Sequence, residues 1–178
     1  MSPLDRFTWM IRDSRVGDID AILDIWLSAS IQTHYFIDSA FWISKVGDMR
    51  DIYLPASQTR VYEAAGKVLG FYSLYEDTLA AIFVAPGSQG QGIGSVLLAD
   101  AKTQRARLQL TVYKENAPSI QFYEKHGFTV ACEQTDGHTG HAELLMDLAA
   151  SRTKTRDLRR AASPEVLPIW LLPLPAPV

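Results

Sequence analysis

The sequence predicts an α/β (α+β) fold: a mixed, mainly antiparallel sheet with helices on both faces, in the order β-αα-βββ-α-β-α-ββ. Two observations carry this. Short runs rich in strand formers alternate with longer runs of helical apolar period along residues 7–148. Helical segments stand before, between and after the strands, so the sheet has apolar surface to cover on each side. The 47% hydrophobic and 21% charged composition is that of an ordinary globule.

Each element has its own reason. Phe7–Arg12 alternates and reads as a first strand. From Asp18 to about Ile31, the residues Ile19, Ile22, Leu23, Trp26 and Leu27 fall on one helical stripe, with Asp18 as N-cap. His34–Ile37 is a loop. Ser39–Leu54 is a second helix, closed by Pro55. Thr59–Ala65 and Val68–Tyr75 form a hairpin turning at Gly66-Lys67. Thr78–Val84 is the next strand, ending at Ala85-Pro86. Gly92 to about Arg107 is a helix with Ile93, Val96, Leu97 and Leu98 inward, and Arg105 and Arg107 suit its C-terminal end. Leu108–Tyr113 alternates as a strand. Asn116 then caps a helix, Pro118 sits in its first turn and Gly127 ends it. Ile120 and Tyr123 share a face. Phe128–Gln134 and Ala142–Leu148 are strands flanking a loop.

The 178 residues suffice for one domain, here 1–150. Residues 151–178 differ: a basic stretch is followed by prolines that block regular structure, so a disordered or loosely docked tail without catalytic part is expected. No apolar run approaches a membrane span, and the first residues lack the layout of a signal peptide. Cys132 is the only cysteine, which excludes an intrachain disulfide and fits a cytoplasmic location. In its strand pattern it reads as buried and inert. Metal-ligand spacing is missing, so no metal is expected. The net charge of −3 gives no reason for nucleic-acid binding. It divides into −6 over residues 1–150 and +3 over 151–178. An acidic body suits a cationic substrate through steering, and equally suits solubility alone.

The most informative segment runs from Ile82 to Leu98. A β-branched run ends at Pro86, glycines follow at 87, 90, 92 and 94, and a helix begins. Glycines let backbone N–H groups face a ligand, and the helix start adds unpaired donors and partial positive charge. The guest is therefore expected to carry a diphosphate. The glycine spacing is wrong for a dinucleotide fingerprint, and Gly94 is followed by Ser95 and Val96 where a triphosphate loop needs lysine. What remains is Gln89-x-x-Gly92-x-Gly94, followed later by Asn116, Phe122-Tyr123 and Gly127-Phe128.

Both segments, in this order, resemble the two acetyl-CoA motifs of the GCN5-related N-acetyltransferases. The resemblance covers roughly residues 7–148, and Thr33–Ile37 with Phe41-Trp42 is similar to a bacterial subgroup acting on protein lysines or amino termini. It implies acetyl transfer from acetyl-CoA to a primary amine, on a protein or a small molecule, by direct attack through a tetrahedral intermediate. It implies that Gln89, Gly90, Gln91, Gly92, Ile93, Gly94 and Ser95 hold the diphosphate. The edge near Phe83 and Val84 would pair with the pantetheine amides and Asn116 would contact that arm. Tyr123 would face the sulfur. No membrane partner is implied, and a monomer or a homodimer both fit. An acyl-CoA-binding regulatory domain without turnover is the alternative.

Such a reaction needs an oxyanion donor, for which a backbone N–H near Val84 serves at ~3 kcal/mol. It needs an acid for the departing thiolate, for which Tyr123 is the candidate. It needs a base for the incoming ammonium. Glu76, Glu63 and His34 are the candidates, and a water chain could replace them. His126, beside Gly127, is better explained by helix capping. Tyr35, Phe36, Phe41 and Trp42 either line an acceptor pocket or belong to the core, with core the default.

Overall fold

The computed structural model describes residues 8–148. Seven strands form one sheet: β1 Trp9–Asp13, β2 Gln58–Ala64, β3 Lys67–Tyr75, β4 Thr78–Val84, β5 Gln109–Tyr113, β6 Phe128–Thr135 and β7 Ala142–Leu148. Their spatial order is β1-β2-β3-β4-β5-β7-β6. All neighbours are antiparallel except β4 and β5. The helices are α1 Ile19–Thr33, α2 Ser39–Ser44, α3 Ile93–Gln104 and α4 Ala117–Lys125. The predicted order and the mixed sheet are those observed. The expectations on the tail, and Phe7 in the first strand, lie outside the described residues.

Each sheet face has its own core. On one side Ile22, Leu23 and Trp26 of α1 pack with Trp42 of α2 against Val61, Phe71, Ala81 and Tyr113. On the other, Ile93, Leu97, Leu98 and Ala101 of α3 pack against Tyr72, Leu79, Leu110 and Met146, with Ile120 and Tyr123 of α4 beside them. Val96, expected inward, is only partly buried.

Several boundaries differ from expectation for local reasons. Asp18 stands at the N-cap position, but its carboxylate points backward, accepting the Arg15 N–H at 2.7 Å and the Arg12 guanidinium. The predicted helix 39–54 is broken into α2, a turn at Val46–Asp48, a π-type turn at Met49–Tyr53 and a last turn at Leu54–Ala56. Pro55 begins that last turn rather than ending the helix, because the first turn needs no N–H from it. The β2–β3 hairpin turns at Ala65-Gly66, both with positive φ (51° and 72°), as a two-residue turn between twisted strands demands. The third helix ends at Gln104. Arg105 still serves its end, donating from Nη1 to the Gln104 carbonyl, while Arg107 lies beyond. Cys132 is exposed on β6, not buried, because β6 is the edge strand of the sheet among the described residues.

Gly70 is required by close packing. A Cβ there would sit 2.9 Å from the Phe83 carbonyl, 3.1 Å from Leu97 and 3.3 Å from Ile93. The first neighbour is backbone and cannot move aside alone. Gly70→Ala is expected to destabilise the fold by ~1–3 kcal/mol, read as a lowered denaturation midpoint at unchanged m-value.

Candidate active site

The site begins with a break in the sheet. β4 carries a bulge: Ser73 faces Ala81 and Leu74 faces Leu79, leaving Ala80 extra. Ala80 and Ala81 consequently both join the α1-side core, which regular alternation would forbid. A bulge bends its strand. β4 and β5 pair only at Thr78–Gln109 and then diverge. The rest of that β4 edge has no strand neighbour among the described residues. A cleft of about 830 Å³ fills the gap, with residues 79–84, Thr111, Val112 and Tyr113 on its walls.

Loop and helix close the cleft on the α3 side. Gly90 and Gly92 have φ of +76° and +83°, and an added Cβ at either would meet open space. The backbone here is thus turned as only glycine readily allows, with room beside it for a bound group. Gln89 ties the loop to the strand, donating from Nε2 to the Val84 carbonyl at 3.2 Å. The first bond inside α3 is Val96 N–H to Gly92, so the earlier amides have no partner within the helix. These features fit a diphosphate. Gln89, Gly90, Gly94, Phe83, Val84, Asn116 and Tyr123 all line the cleft. The Ile93 side chain is buried in the core, so only its backbone is available to a ligand. Ser95 accepts or donates at 3.1 Å to His126 Nε2, while His126 Nδ1 lies 2.7 Å from the Phe122 carbonyl. His126 therefore straps the end of α4 to the start of α3, in keeping with a capping role.

Asn116 Oδ1 accepts the Ser119 N–H at 3.3 Å and so starts α4 beside the cleft. The turn that follows brings Tyr123 to the same wall. Its hydroxyl makes no hydrogen bond among the described residues, and its deep position raises its pKa. The phenol is thus fully protonated at neutral pH.

The base candidates separate. His34 lines the cleft and is 7% exposed, enclosed by Trp42, Tyr113 and Phe36 at ring distances of 5.1, 5.2 and 5.9 Å. Burial lowers its pKa to about 4, opposed in part by the Ser30 carbonyl. Glu76 lies in the exposed turn between β3 and β4 and is not among the cleft residues. A two-residue hairpin forced it to positive φ (50°) away from the site. Glu63 is bound by Arg12 at 2.7 Å and also lies outside the cleft. Of the four aromatics, Trp42 is core and Tyr35 lines the cleft while 80% exposed.

Burial of neutral His34 has a consequence for stability. The unfolded chain gains this proton near pH 6.5, the folded one only near 4. Stability present above pH 6.5 is lost as pH falls between these values. His34→Phe is expected to remove roughly 3 kcal/mol of that acid sensitivity, measured as denaturation free energy against pH from 7 to 4.

Sequence reasoning passed over a further group on the cleft wall: Glu143 of β7 and Tyr113 of β5, directly paired in register, with Asp136 behind them. A carboxylate at an inward-facing strand position was the available signal, readable once the β5–β7 pairing is known.

Comparison with known proteins agrees with this architecture. A family model described as "Acetyltransferase (GNAT) domain" matches residues 55–130. The peptidyl-lysine N-acetyltransferase YiaC of Escherichia coli is 39% identical over 122 residues, covering 68% of this chain and 84% of that protein. The solution structure of apo YjaB from Escherichia coli superposes with a TM-score of 0.72 at 24% identity, over 81% of this chain and 99% of that one. The PaiA N-acetyltransferase of Thermoplasma acidophilum, in complex with coenzyme A, has a TM-score of 0.66 at 19% identity, over 79% and 98%. With a splayed β4–β5 cleft, a glycine loop at its mouth and this kinship, the chain belongs to the GNAT family of acetyl-CoA-dependent N-acetyltransferases.

Proposed function

We propose that this chain acetylates the side-chain amine of protein lysines, using acetyl-CoA held along the open β4 edge. The observation that carries the reading is the cleft itself. One wall is the free edge of β4 with the Gly90–Gly94 loop, and the opposite wall presents Tyr35, Tyr113 and Glu143. The first wall suits the donor. Its loop amides suit the diphosphate, its strand edge suits the pantetheine amides as an added strand would, and Asn116 adjoins that arm. The second suits a long apolar side chain ending in a cation. The kinship with a peptidyl-lysine acetyltransferase supports the same acceptor.

In this reading the amine attacks the thioester carbonyl directly, forming N–C and placing charge on oxygen beside the N–H near Val84. Collapse breaks C–S, and Tyr123 gives its proton to the thiolate. His34, neutral at pH 7, shapes the pocket wall and is a weak base for an ammonium near pKa ~10.4.

Incubation with acetyl-CoA and a lysine peptide panel tests the reading, with free CoA and peptide mass as readouts. Acetyl-lysine product is expected. Stabilisation by acetyl-CoA without turnover of any amine would favour a regulatory acyl-CoA-binding domain. Turnover of small amines alone would move the acceptor to that class.

A further inference from the structure

Two buried carboxylates lie here, Glu143 on the cleft wall and Asp136 behind it, and they differ in how well they are satisfied. Asp136 is 1% exposed and saturated: Oδ2 accepts the Tyr113 hydroxyl at 2.5 Å and Thr139 Oγ1 at 2.7 Å, and Oδ1 accepts the His138 N–H at 2.9 Å. It is a structural staple of the β6–β7 turn. Glu143 is 3% exposed and accepts one side-chain bond, from Gln134 Nε2 to Oε1 at 2.6 Å. Its Oε2 has no hydrogen-bond partner among the described residues, yet it is not sealed among the fully enclosed unpartnered atoms. It keeps contact with the cleft that Glu143 lines. A carboxylate oxygen that faces the cleft without a protein donor is free to accept from a cation or donor that enters it.

We propose that Glu143 receives the acceptor: Oε2 binds the incoming ammonium and takes one proton from it, and the free amine then attacks the thioester. The assignment rests on the amine-acetylating function above. Its balance is simple. The ammonium N–H bond breaks and a carboxylic O–H forms, and N–C then replaces C–S. The amide nitrogen sheds its second proton, the thiolate takes one, and one proton leaves to solvent.

The geometry places Glu143 suitably. Direct pairing with Tyr113 sets both side chains on the α1 face of the sheet, the face that also carries His34. Groups around it are Tyr113 of β5 and, from β6 and its turn, Gln134 and Asp136. Glu115 lies on the same cleft wall, held by His141 at 2.8 Å. Among the described residues no Lys or Arg lines the cleft to compete for Glu143. Burial and neighbouring Asp136 raise its pKa, against the Gln134 bond that lowers it. A better base than a solvated glutamate results.

The test compares the full chain with Glu143→Gln, a near-isosteric change that keeps a partner for Gln134. With a lysine peptide at pH 7, kcat/KM should fall about 10²-fold with the KM for acetyl-CoA unchanged. The distinguishing readout is pH. The variant must wait for amine already deprotonated, so its rate should rise about tenfold per pH unit and the gap should close toward pH ~10. The unaltered chain should instead show a plateau with an acid limb above the usual glutamate range. A variant running parallel to the parent at all pH values, or equal to it at pH 7, overturns the assignment. So does a parent profile without the acid limb, which needs no variant to fold. Failure of the parent to acetylate any lysine peptide is a separate result, against the lysine reading. The same comparison is then made with a small primary amine that the parent does turn over.

Discussion

Tyr123→Phe is expected to lower kcat by about 10³-fold while acetyl-CoA binding stays within about twofold. The phenol lies on the cleft wall, has no hydrogen-bond partner among the described residues, and is held protonated by its surroundings. In the proposed mechanism a thiolate leaving beside it takes that proton as C–S breaks, so the hydroxyl acts mainly in the transition state and its loss falls on kcat. Phenylalanine fills the same volume against Phe122 and Phe128, so the fold should hold. Steady-state kinetics at saturating amine, with thermal unfolding as control, decide the matter. Unchanged turnover would leave Tyr123 a packing residue.

The second large effect is expected from Gly90→Val with Gly92→Val. Both positions have positive φ, where a β-branched residue is strained by ~1–2 kcal/mol each. The added side chains enter the open space beside the loop amides. Strain can be relieved only by turning the amides away from their present direction, so acetyl-CoA should bind about 10²-fold more weakly. An added Cβ at either position meets open space, so the loss of thermal stability should not exceed that strain, ~2–4 kcal/mol for the pair. Calorimetric titration with acetyl-CoA reads the first effect and thermal unfolding the second. Undiminished binding would mean that the diphosphate lies elsewhere.

Local chemistry made much of this legible in advance. Asn116, Pro118 and Gly127 specify the bounds of α4 because caps act on their own helix. β4 and β7 match their predicted ranges because each is a short apolar-rich run with clear stops at both ends. The glycine loop could be read because positive φ is a property of single residues. Long-range effects were not legible. Glu76 follows a strand that looked well aimed, yet a two-residue turn takes it out of the cleft. Cys132 sits in an apolar pattern, yet strand order puts β6 at the sheet edge, where Cys132 is exposed.

The sequence by itself determined the order of elements and the glycine loop with its positive-φ turns, since each depends on neighbours within a few residues. The tertiary structure alone decided where the cleft opens and that Glu143 lies on its wall. The bulge at Ala80 parts β4 from β5, and the β5–β7 register sets Glu143 beside Tyr113. The β4–β5 and β5–β7 pairings join residues far apart in the chain, Thr78 with Gln109 and Tyr113 with Glu143, and no local pattern in either strand encodes its partner's register.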